Sequence, residues 1–184
     1  MFHPEARSIF DIEVDAYVNT INCVGVMGAG IAKEFKTRYP EMFKEYQAEC
    51  LMHGIKPGDC WTYKEGDKYL LNLAVKRDWR EWATKEWIEL SLKSFKLEVL
   101  EHKIKSIAIP IIGGKNARRG PWGQVNGFAP PPSRDELKQW LEKELTKFAD
   151  NFDLEIYLCI PDETPIITQS DKIKTMAKQF FNLK

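Results

Sequence analysis

Residues 18–32, with the sequence Val-Asn-Thr-Ile-Asn-Cys-Val-Gly-Val-Met-Gly-Ala-Gly-Ile-Ala, have the types and spacing that most strongly suggest chemistry. An apolar, strand-like start is followed by three glycines and then by a helical pattern. A strand, a glycine loop and a helix together direct backbone N–H groups at an anion, usually a phosphate. Asn19 and Asn22 flank this loop, where their amides can bind sugar hydroxyls or hold a water. The pattern therefore predicts a phosphate-binding loop, although a simple turn with glycines at positive φ would share it.

The glycine spacing excludes two common nucleotide-binding signatures. Gly25 and Gly30 are followed by Ile31-Ala32 and not by Lys-Ser/Thr, so the ATPase loop is absent. Glycines at 25, 28 and 30 also fail the Gly-x-Gly-x-x-Gly pattern of dinucleotide-dependent dehydrogenases.

A second candidate segment is 72–80, Asn-Leu-Ala-Val-Lys-Arg-Asp-Trp-Arg, in which an apolar strand runs into three cations and a tryptophan. We expect the neighbouring arginine charges to lower the pKa of Lys76, which would make its amine a better nucleophile or base. Arg77 and Arg80 are candidate anion ligands, and Trp79 is a candidate stacking platform. The alternative is an ordinary solvated strand end with a surface tryptophan.

A third segment follows the apolar run 106–112. Residues 113–123 contain glycines, an asparagine and three cations, a composition that favours an anion-binding loop. The proline-rich residues 124–132 are interpreted as a flexible insertion. We therefore place an insertion or flexible loop at about 113–132.

The first two segments resemble the macrodomain family, in which a strand ends in Val-Asn-x-x-Asn before a glycine-rich loop and a helix. The resemblance is closest to DNA ADP-ribosyl glycohydrolases of the DarG antitoxin type. Residues 18–32 follow the pattern of that branch, and residues 72–80 match its Asn-x-x-x-Lys-Arg-x-Trp-Arg segment. Residues 113–123 depart from it, because the branch has a shorter Gly-Cys-Gly-Asn-Gly-Gly-Leu version there.

The resemblance implies roles for individual residues. Lys76 would act at the anomeric carbon and Asn22 would orient the distal ribose, so both are assigned as catalytic. Nucleic acid would be bound by Arg77, Trp79 and Arg80. The residues implied to bind ADP-ribose are Asp11, Ile12, Asn19, Val24, Gly25, Val26, Met27, Gly28, Gly30, Ile31, Gly113, Gly114, Asn116, Arg118 and Gly120. No cofactor or metal is required, and Cys23 is assigned a packing role.

The leading functional hypothesis is an enzyme that removes ADP-ribose from nucleic acid bases, with single-stranded ADP-ribosylated DNA as substrate. Such a protein would counter an ADP-ribosyltransferase toxin; countering a host's ADP-ribosylation, or a role in repair or metabolite salvage, are the alternatives. A phosphatase acting on ADP-ribose 1″-phosphate would share the same pocket. A non-catalytic ADP-ribose reader would need the loops but not Lys76. A sheet that binds another nucleotide is the remaining alternative.

Composition and charge narrow the class of protein. With 184 residues, 43% hydrophobic and 29% charged, the chain is expected to form one globular domain over residues 1–184. The 27 basic and 27 acidic residues balance, which argues against non-specific coating of nucleic acid. The absence of a signal-like or membrane-spanning stretch predicts a cytoplasmic protein, expected to be a monomer. Four scattered cysteines and three histidines offer no zinc-ligand spacing.

Alternating strand and helix patterns predict the elements that position these segments. Strands are expected at 8–12, 15–19, 60–64, 69–75, 106–112 and 154–160, with 60–75 forming a hairpin. Helices are expected at 30–39, from Pro40 to His53, from Thr84 to His102, from Ser133 onward and at 170–183. This order predicts a three-layer α/β/α sandwich with a mixed, mostly parallel central sheet. Ligands of such sheets bind beyond the carboxyl ends of the strands, where all three segments are predicted to lie.

Overall fold

The structure is a computed structural model that describes residues 1–112 and 134–160. Within these residues the strands are β1 (Phe2–Glu5), β2 (Ala16–Ile21), β3 (Cys60–Glu65), β4 (Lys68–Ala74), β5 (Ser106–Pro110) and β6 (Glu155–Cys159). The helices are α1 (Gly30–Arg38), α2 (Pro40–Met52), α3 (Lys85–Glu101) and α4 (Arg134–Phe152), with a 3-10 turn at Ile9–Asp11. The predicted helix at 170–183, the third segment at 113–123 and the predicted insertion up to residue 132 lie outside the described residues.

The strands form one sheet in the order β1-β6-β5-β2-β4-β3. All neighbours are parallel except β3 and β4, which form the predicted antiparallel hairpin. The mixed, mostly parallel sheet is therefore confirmed. Its centre is β2, whose carboxyl end opens into the glycine loop.

Two apolar clusters cover the two faces of the sheet, because successive strand residues point to opposite sides. In β4, Leu71 and Leu73 face α3 and α4, where Phe95 and Phe148 are buried. Leu70 and Ala74 face α1 and α2, together with the buried residues Phe35, Met42 and Tyr46. The predicted three-layer sandwich is confirmed, and Met27 of the glycine loop packs in the cluster on the α1/α2 side.

The helix starts follow local signals in the sequence. Pro40 is the first residue of α2, where its missing N–H costs no helical hydrogen bond. Thr84 caps α3 as predicted, since its side chain accepts a hydrogen bond from the N–H of Trp87 at 3.2 Å. No helix among the described residues is long and apolar enough to cross a membrane.

The first predicted strand, 8–12, is wrong. Ile9 and Ile12 are both buried, and their spacing of three suits a tight helical turn better than a strand. The side chain of Ser8 accepts a hydrogen bond from the N–H of Phe10, which starts that turn. The edge strand β1 lies earlier in the chain and pairs with β6. Its Pro4 is tolerated because an edge strand has one unpaired side.

The core on the α3/α4 side gives a stability prediction. Phe95 is fully buried between α3 and α4, whereas Leu97 on the same helix is 67% exposed. We expect Phe95→Ala to lower the free energy of unfolding by about 3–5 kcal/mol, because it leaves a cavity. Leu97→Ala should change it by less than about 0.5 kcal/mol. Urea denaturation of both variants checks this, and similar losses would contradict the assigned packing.

Candidate functional site

The loops after β2 and β4 leave the sheet side by side. The two strands are in register up to Ile21 and Ala74, and pairing continues past their ends. The N–H of Val75 donates to the carbonyl of Ile21 at 3.2 Å, and the N–H of Cys23 donates to the carbonyl of Arg77 at 3.0 Å. The Cys23 thiol also donates to the carbonyl of Lys76 at 3.1 Å. The glycine loop and the Lys76 segment therefore form one joined edge.

The side chain of Asn22 closes the first half of the glycine loop. Its Nδ2 donates to the carbonyl of Val26 at 2.6 Å. Its Oδ1 accepts the N–H groups of Val24 at 3.0 Å and Val26 at 3.3 Å. The amide thus takes the place of a backbone turn and fixes residues 22–26 as a compact unit.

Helix α2 supports this unit from below. The buried hydroxyl of Tyr46 donates toward the carbonyl of Asn22 at 2.7 Å and lies 3.0 Å from its Oδ1. Gln47 donates from Nε2 to the carbonyl of Gly25 at 3.2 Å. Gly25 has φ +74°, a left-handed conformation that favours glycine. These contacts anchor the loop to the body of the protein.

The second half of the loop is open. Gly28, Ala29 and Gly30 are exposed, and their N–H groups donate to no acceptor among the described residues. Gly30 has φ +56° and begins α1, whose N-cap Ala29 offers no side-chain oxygen. Unpaired N–H groups at a helix N-terminus form a site for negative charge. Residues 28–30 therefore offer unpaired N–H donors to an anion, while the contacts predicted for Val24, Gly25 and Val26 stay predictions.

Lys76 belongs to the joined edge, in the segment that follows β4, and its side chain is buried. Its side chain is only 8% exposed, and burial lowers its pKa to about 8. The lowered pKa agrees with the sequence expectation, but the expected cause is wrong. Water exclusion disfavours the ammonium form here, and the arginine charges are not responsible.

The two arginines near Lys76 each form an ion pair with an acidic residue close by in the chain. Arg77 contacts Glu81 at 3.1 Å through Nε and 2.5 Å through Nη2. Arg80 contacts the two carboxylate oxygens of Asp78 at 2.8 and 2.6 Å, and this pairing lowers the pKa of Asp78 to about 2. Their charges are therefore largely compensated within the segment.

Exposed apolar side chains lie in the two loops that form this edge. Trp79 is 49% exposed, and the Arg80 guanidinium lies 5.6 Å from its ring centre. Val24 and Val26 of the adjoining loop are also exposed. This combination can stack on or pack against a flat group such as a base.

Asn19 and Met27 are buried under the loop. Asn19 donates from Nδ2 to Oδ1 of Asn72 at 2.9 Å, and Asn72 donates to the carbonyls of Leu70 and Trp61. Asn19 Oδ1 is buried and accepts no hydrogen bond from the described residues. The structure places Asn19 and Met27 beneath the binding edge, so their direct contact with ADP-ribose stays a prediction.

Asp11 ends the 3-10 turn and Ile12 directly follows it, outside the strands of the sheet. Asp11 is exposed in the 3-10 turn, whereas Ile12 is buried and its carbonyl accepts the hydroxyl of Tyr17 at 2.9 Å. Phe10 packs on Phe35 of α1, with ring centres 5.0 Å apart. The turn is therefore beside α1, and its contact with a ligand stays a prediction.

Two further assignments concern cysteine and metal chemistry. Burial raises the pKa of the Cys23 thiol to about 12, which agrees with packing and not with nucleophilic attack. Among the described residues, no group of three or more His, Cys, Asp or Glu side chains is placed to hold a metal ion.

The residues Gly113, Gly114, Asn116, Arg118 and Gly120, which were predicted to bind ADP-ribose, lie outside the described part of the chain.

The supporting residues were missed by sequence reasoning. Tyr46 and Gln47 lie in a helix whose pattern indicates only core packing, so no local signal distinguishes them. Asn72 had a signal, because an asparagine is unusual inside an apolar strand.

The described fold and site define an α/β sandwich that presents a glycine loop and a helix N-terminus at the carboxyl edge of its sheet. The family model "Macro domain" matches residues 18–126, more than half of the chain. The chain belongs to the macro domain family.

Known relatives agree with this assignment. A DNA ADP-ribosyl glycohydrolase of Thermus aquaticus is 30% identical over 162 residues, covering 86% of this chain and 41% of the relative. A DNA ADP-ribosyl glycohydrolase of Mycobacterium tuberculosis is 37% identical over 108 residues, covering 56% of this chain and 31% of the relative. The solved macrodomain of Mycobacterium tuberculosis DarG has a TM-score of 0.74 at 27% identity, covering 88% of this chain and 99% of that one. The chain spans less than half the length of these curated relatives.

The loop geometry predicts different outcomes for two glycines. We expect Gly25→Ala to lower the free energy of unfolding by about 1 kcal/mol, because φ of +74° is strained for alanine. Gly28→Ala is the matched control, since its φ is not in the left-handed range and its Cβ would be 3.8 Å from Val26 Cγ1. Its effect should stay within about 0.5 kcal/mol. Denaturant titration of both variants checks this, and equal effects would argue against the loop conformation.

Proposed function

We propose that this protein binds ADP-ribose and hydrolyses the N-glycosidic bond that joins ADP-ribose to a base in DNA. The observation that carries the proposal is a buried lysine, with its pKa lowered to about 8, on the edge that adjoins the glycine loop. A buried amine near neutrality is suited to act as a nucleophile or in proton transfer. The names of the two curated relatives support the same reaction.

Binding would use the open and closed halves of the loop differently. The unpaired N–H groups of residues 28–30 suit the diphosphate. Asn22 Nδ2 carries two hydrogens, and the carbonyl of Val26 takes one. The other hydrogen is proposed to bind the distal ribose and to orient its anomeric carbon toward Lys76. Because hydrogen bonds already hold the loop in shape, ligand binding would lose little conformational entropy in ordering the loop.

Lys76 can assist the cleavage in one of two ways. As a neutral amine it would attack the anomeric carbon after the C1″–O4″ bond of the ring has opened. A C–N bond to Lys76 would form while the bond to the base breaks, and the amine's proton would leave with the base. Water would then hydrolyse the resulting Schiff base, which releases ADP-ribose and regenerates the amine. As an ammonium group it would protonate the departing base while water attacks. The two routes need opposite protonation states of the same side chain, so pH separates them.

The nucleic acid is proposed to bind at Arg77, Trp79 and Arg80. Trp79 offers an exposed ring for an unpaired base, which favours single-stranded DNA. A phosphate would compete with Glu81 and Asp78 for the two guanidinium groups. We further propose a monomeric, cytoplasmic protein that opposes an ADP-ribosyltransferase toxin, by analogy with DarG.

The first test concerns Lys76 and uses Lys76→Met, which keeps the length and apolar stem of the side chain. We expect release of ADP-ribose from ADP-ribosylated single-stranded DNA to fall by at least about 100-fold. Affinity for free ADP-ribose, measured by calorimetry, should change less than roughly threefold because the loop supplies the binding contacts. Chromatographic detection of released ADP-ribose gives the rate.

Lys76→Arg serves as the charge control, because a guanidinium keeps the cation but cannot act as an amine near neutral pH. Full activity in either variant would exclude Lys76 from the chemistry. Wild-type protein that releases phosphate from ADP-ribose 1″-phosphate, but leaves ADP-ribosylated DNA intact, would be a phosphatase. Wild-type protein that binds ADP-ribose and cleaves neither substrate would be a reader.

The second test is the pH profile of kcat/KM. If the neutral amine acts, the rate should rise about tenfold per pH unit up to a plateau above pH 8, because the pKa of Lys76 is about 8. At pH 7 only about one tenth of the molecules would carry the neutral form. If the ammonium acts, the rate should instead fall above pH 8. A profile that is flat from pH 6 to 10 would contradict both routes.

A further inference from the structure

We infer that Tyr46 is a positioning residue that sets the orientation of the Asn22 amide. The inference rests on the proposed function, in which Asn22 orients the distal ribose. Tyr46 is fully buried in α2 and is not exposed to solvent. Its effect on a ligand must therefore pass through the loop.

Tyr46 differs from the other hydrogen-bond partners of the Asn22 side chain because it lies outside the loop. Among the described residues, the side chain of Asn22 bonds to Val24 and Val26, both inside the loop, and to Tyr46 outside it. The intra-loop bonds fix the amide relative to the loop alone. The Tyr46 hydroxyl, 2.7 Å from the Asn22 carbonyl and 3.0 Å from Oδ1, connects that unit to helix α2.

The chemistry of the hydroxyl also selects which way the amide faces. The single hydrogen of the Tyr46 hydroxyl can be shared by the Asn22 carbonyl oxygen at 2.7 Å and Oδ1 at 3.0 Å. Together with the two loop N–H groups that donate to Oδ1, it favours oxygen at the buried position of the amide. With oxygen held inward, Nδ2 and its second hydrogen remain on the other side. Burial raises the pKa of Tyr46 above its usual range, so the hydroxyl keeps its proton.

The tyrosine is itself held firmly. Its ring contacts Phe43 and Trp61, with centres 6.3 Å away in each case. Gln47, the next residue of α2, donates to the carbonyl of Gly25. The adjacent side chains of Tyr46 and Gln47 thus bind the loop at two points. Of these two, Tyr46 binds Asn22 and Gln47 binds Gly25. Removing its hydroxyl should therefore displace the amide without removing the loop.

The test is Tyr46→Phe in the full chain, which deletes one hydroxyl and keeps the ring. We expect kcat on ADP-ribosylated single-stranded DNA to fall about tenfold, since a small misplacement of an orienting group slows the chemical step. The dissociation constant for free ADP-ribose should change less than about threefold. In 15N NMR spectra of the ligand-free proteins, the side-chain NH₂ signals of Asn22 should differ in chemical shift between Tyr46→Phe and wild type.

Two control variants separate positioning from general loss of stability. Tyr63→Phe deletes another tyrosine hydroxyl, on a ring that adjoins Trp61 but not the loop, and should retain wild-type kcat. Phe148→Leu loosens the core on the opposite face of the sheet and should lower the melting temperature with little change in kcat.

Wild-type kcat in Tyr46→Phe would overturn the inference, and so would an equal loss of kcat in Phe148→Leu at matched stability. If the wild-type protein neither binds ADP-ribose nor cleaves the substrate, the proposed function fails. The NMR signals then decide the positioning separately, and unshifted Asn22 signals in Tyr46→Phe would overturn it.

Discussion

The parallel pairing of β2 with β4 is the constraint on which the site depends. Pairing in register ends both strands at the same height, and bonds from Val75 to Ile21 and from Cys23 to Arg77 extend the contact into the loops. Two segments about fifty residues apart in the chain therefore become one edge. A shift of either strand by one residue would reverse its side chains and break this junction.

The glycine loop divides into two parts with different tasks. In residues 22–26, side-chain and backbone groups satisfy one another, so this half has a defined shape before any ligand arrives. In residues 28–30, the N–H groups have no acceptor among the described residues. Rigidity in the first half is what allows unpaired donors in the second half to stay in place.

Periodicity predicted most of the described fold because strands and helices here bury continuous faces. The apolar spacing of α3 and its Thr84 cap, and the strands around Glu65-Gly66-Asp67, are local signals that tertiary packing did not override. The 8–12 segment failed because Ile9 and Ile12 suit either a strand or a turn. The strand β1 depends on its partner β6, about 150 residues away, and its own sequence carries no clear pattern.

Sequence alone could indicate candidate site residues where they stand together in one loop. The glycines, Asn22 and Lys76 were singled out because they lie in compact segments at predicted strand ends, and their roles stay predictions. The support from Tyr46 and Gln47 was not predictable, since it arises when α2 packs under the loop. The cause of the Lys76 pKa shift was missed for the same reason. Sequence shows adjacent charges, but only the fold shows that Glu81 and Asp78 compensate them while burial excludes water.

The energetics of Lys76 are unfavourable for folding at neutral pH. A pKa lowered from 10.5 to about 8 means that the ammonium form costs the folded state roughly 3 kcal/mol. The sign is fixed by linkage: the cost is full below pH 8 and disappears as pH rises past the unfolded value of 10.5. An apolar side chain would avoid this cost at every pH. Asn19 Oδ1, buried in β2 two residues before the carboxyl end of the strand, has no hydrogen-bond partner among the described residues and adds a second unfavourable group. Unfavourable groups that concentrate at one edge of an otherwise well-packed sheet are the pattern expected of a site shaped for its ligand.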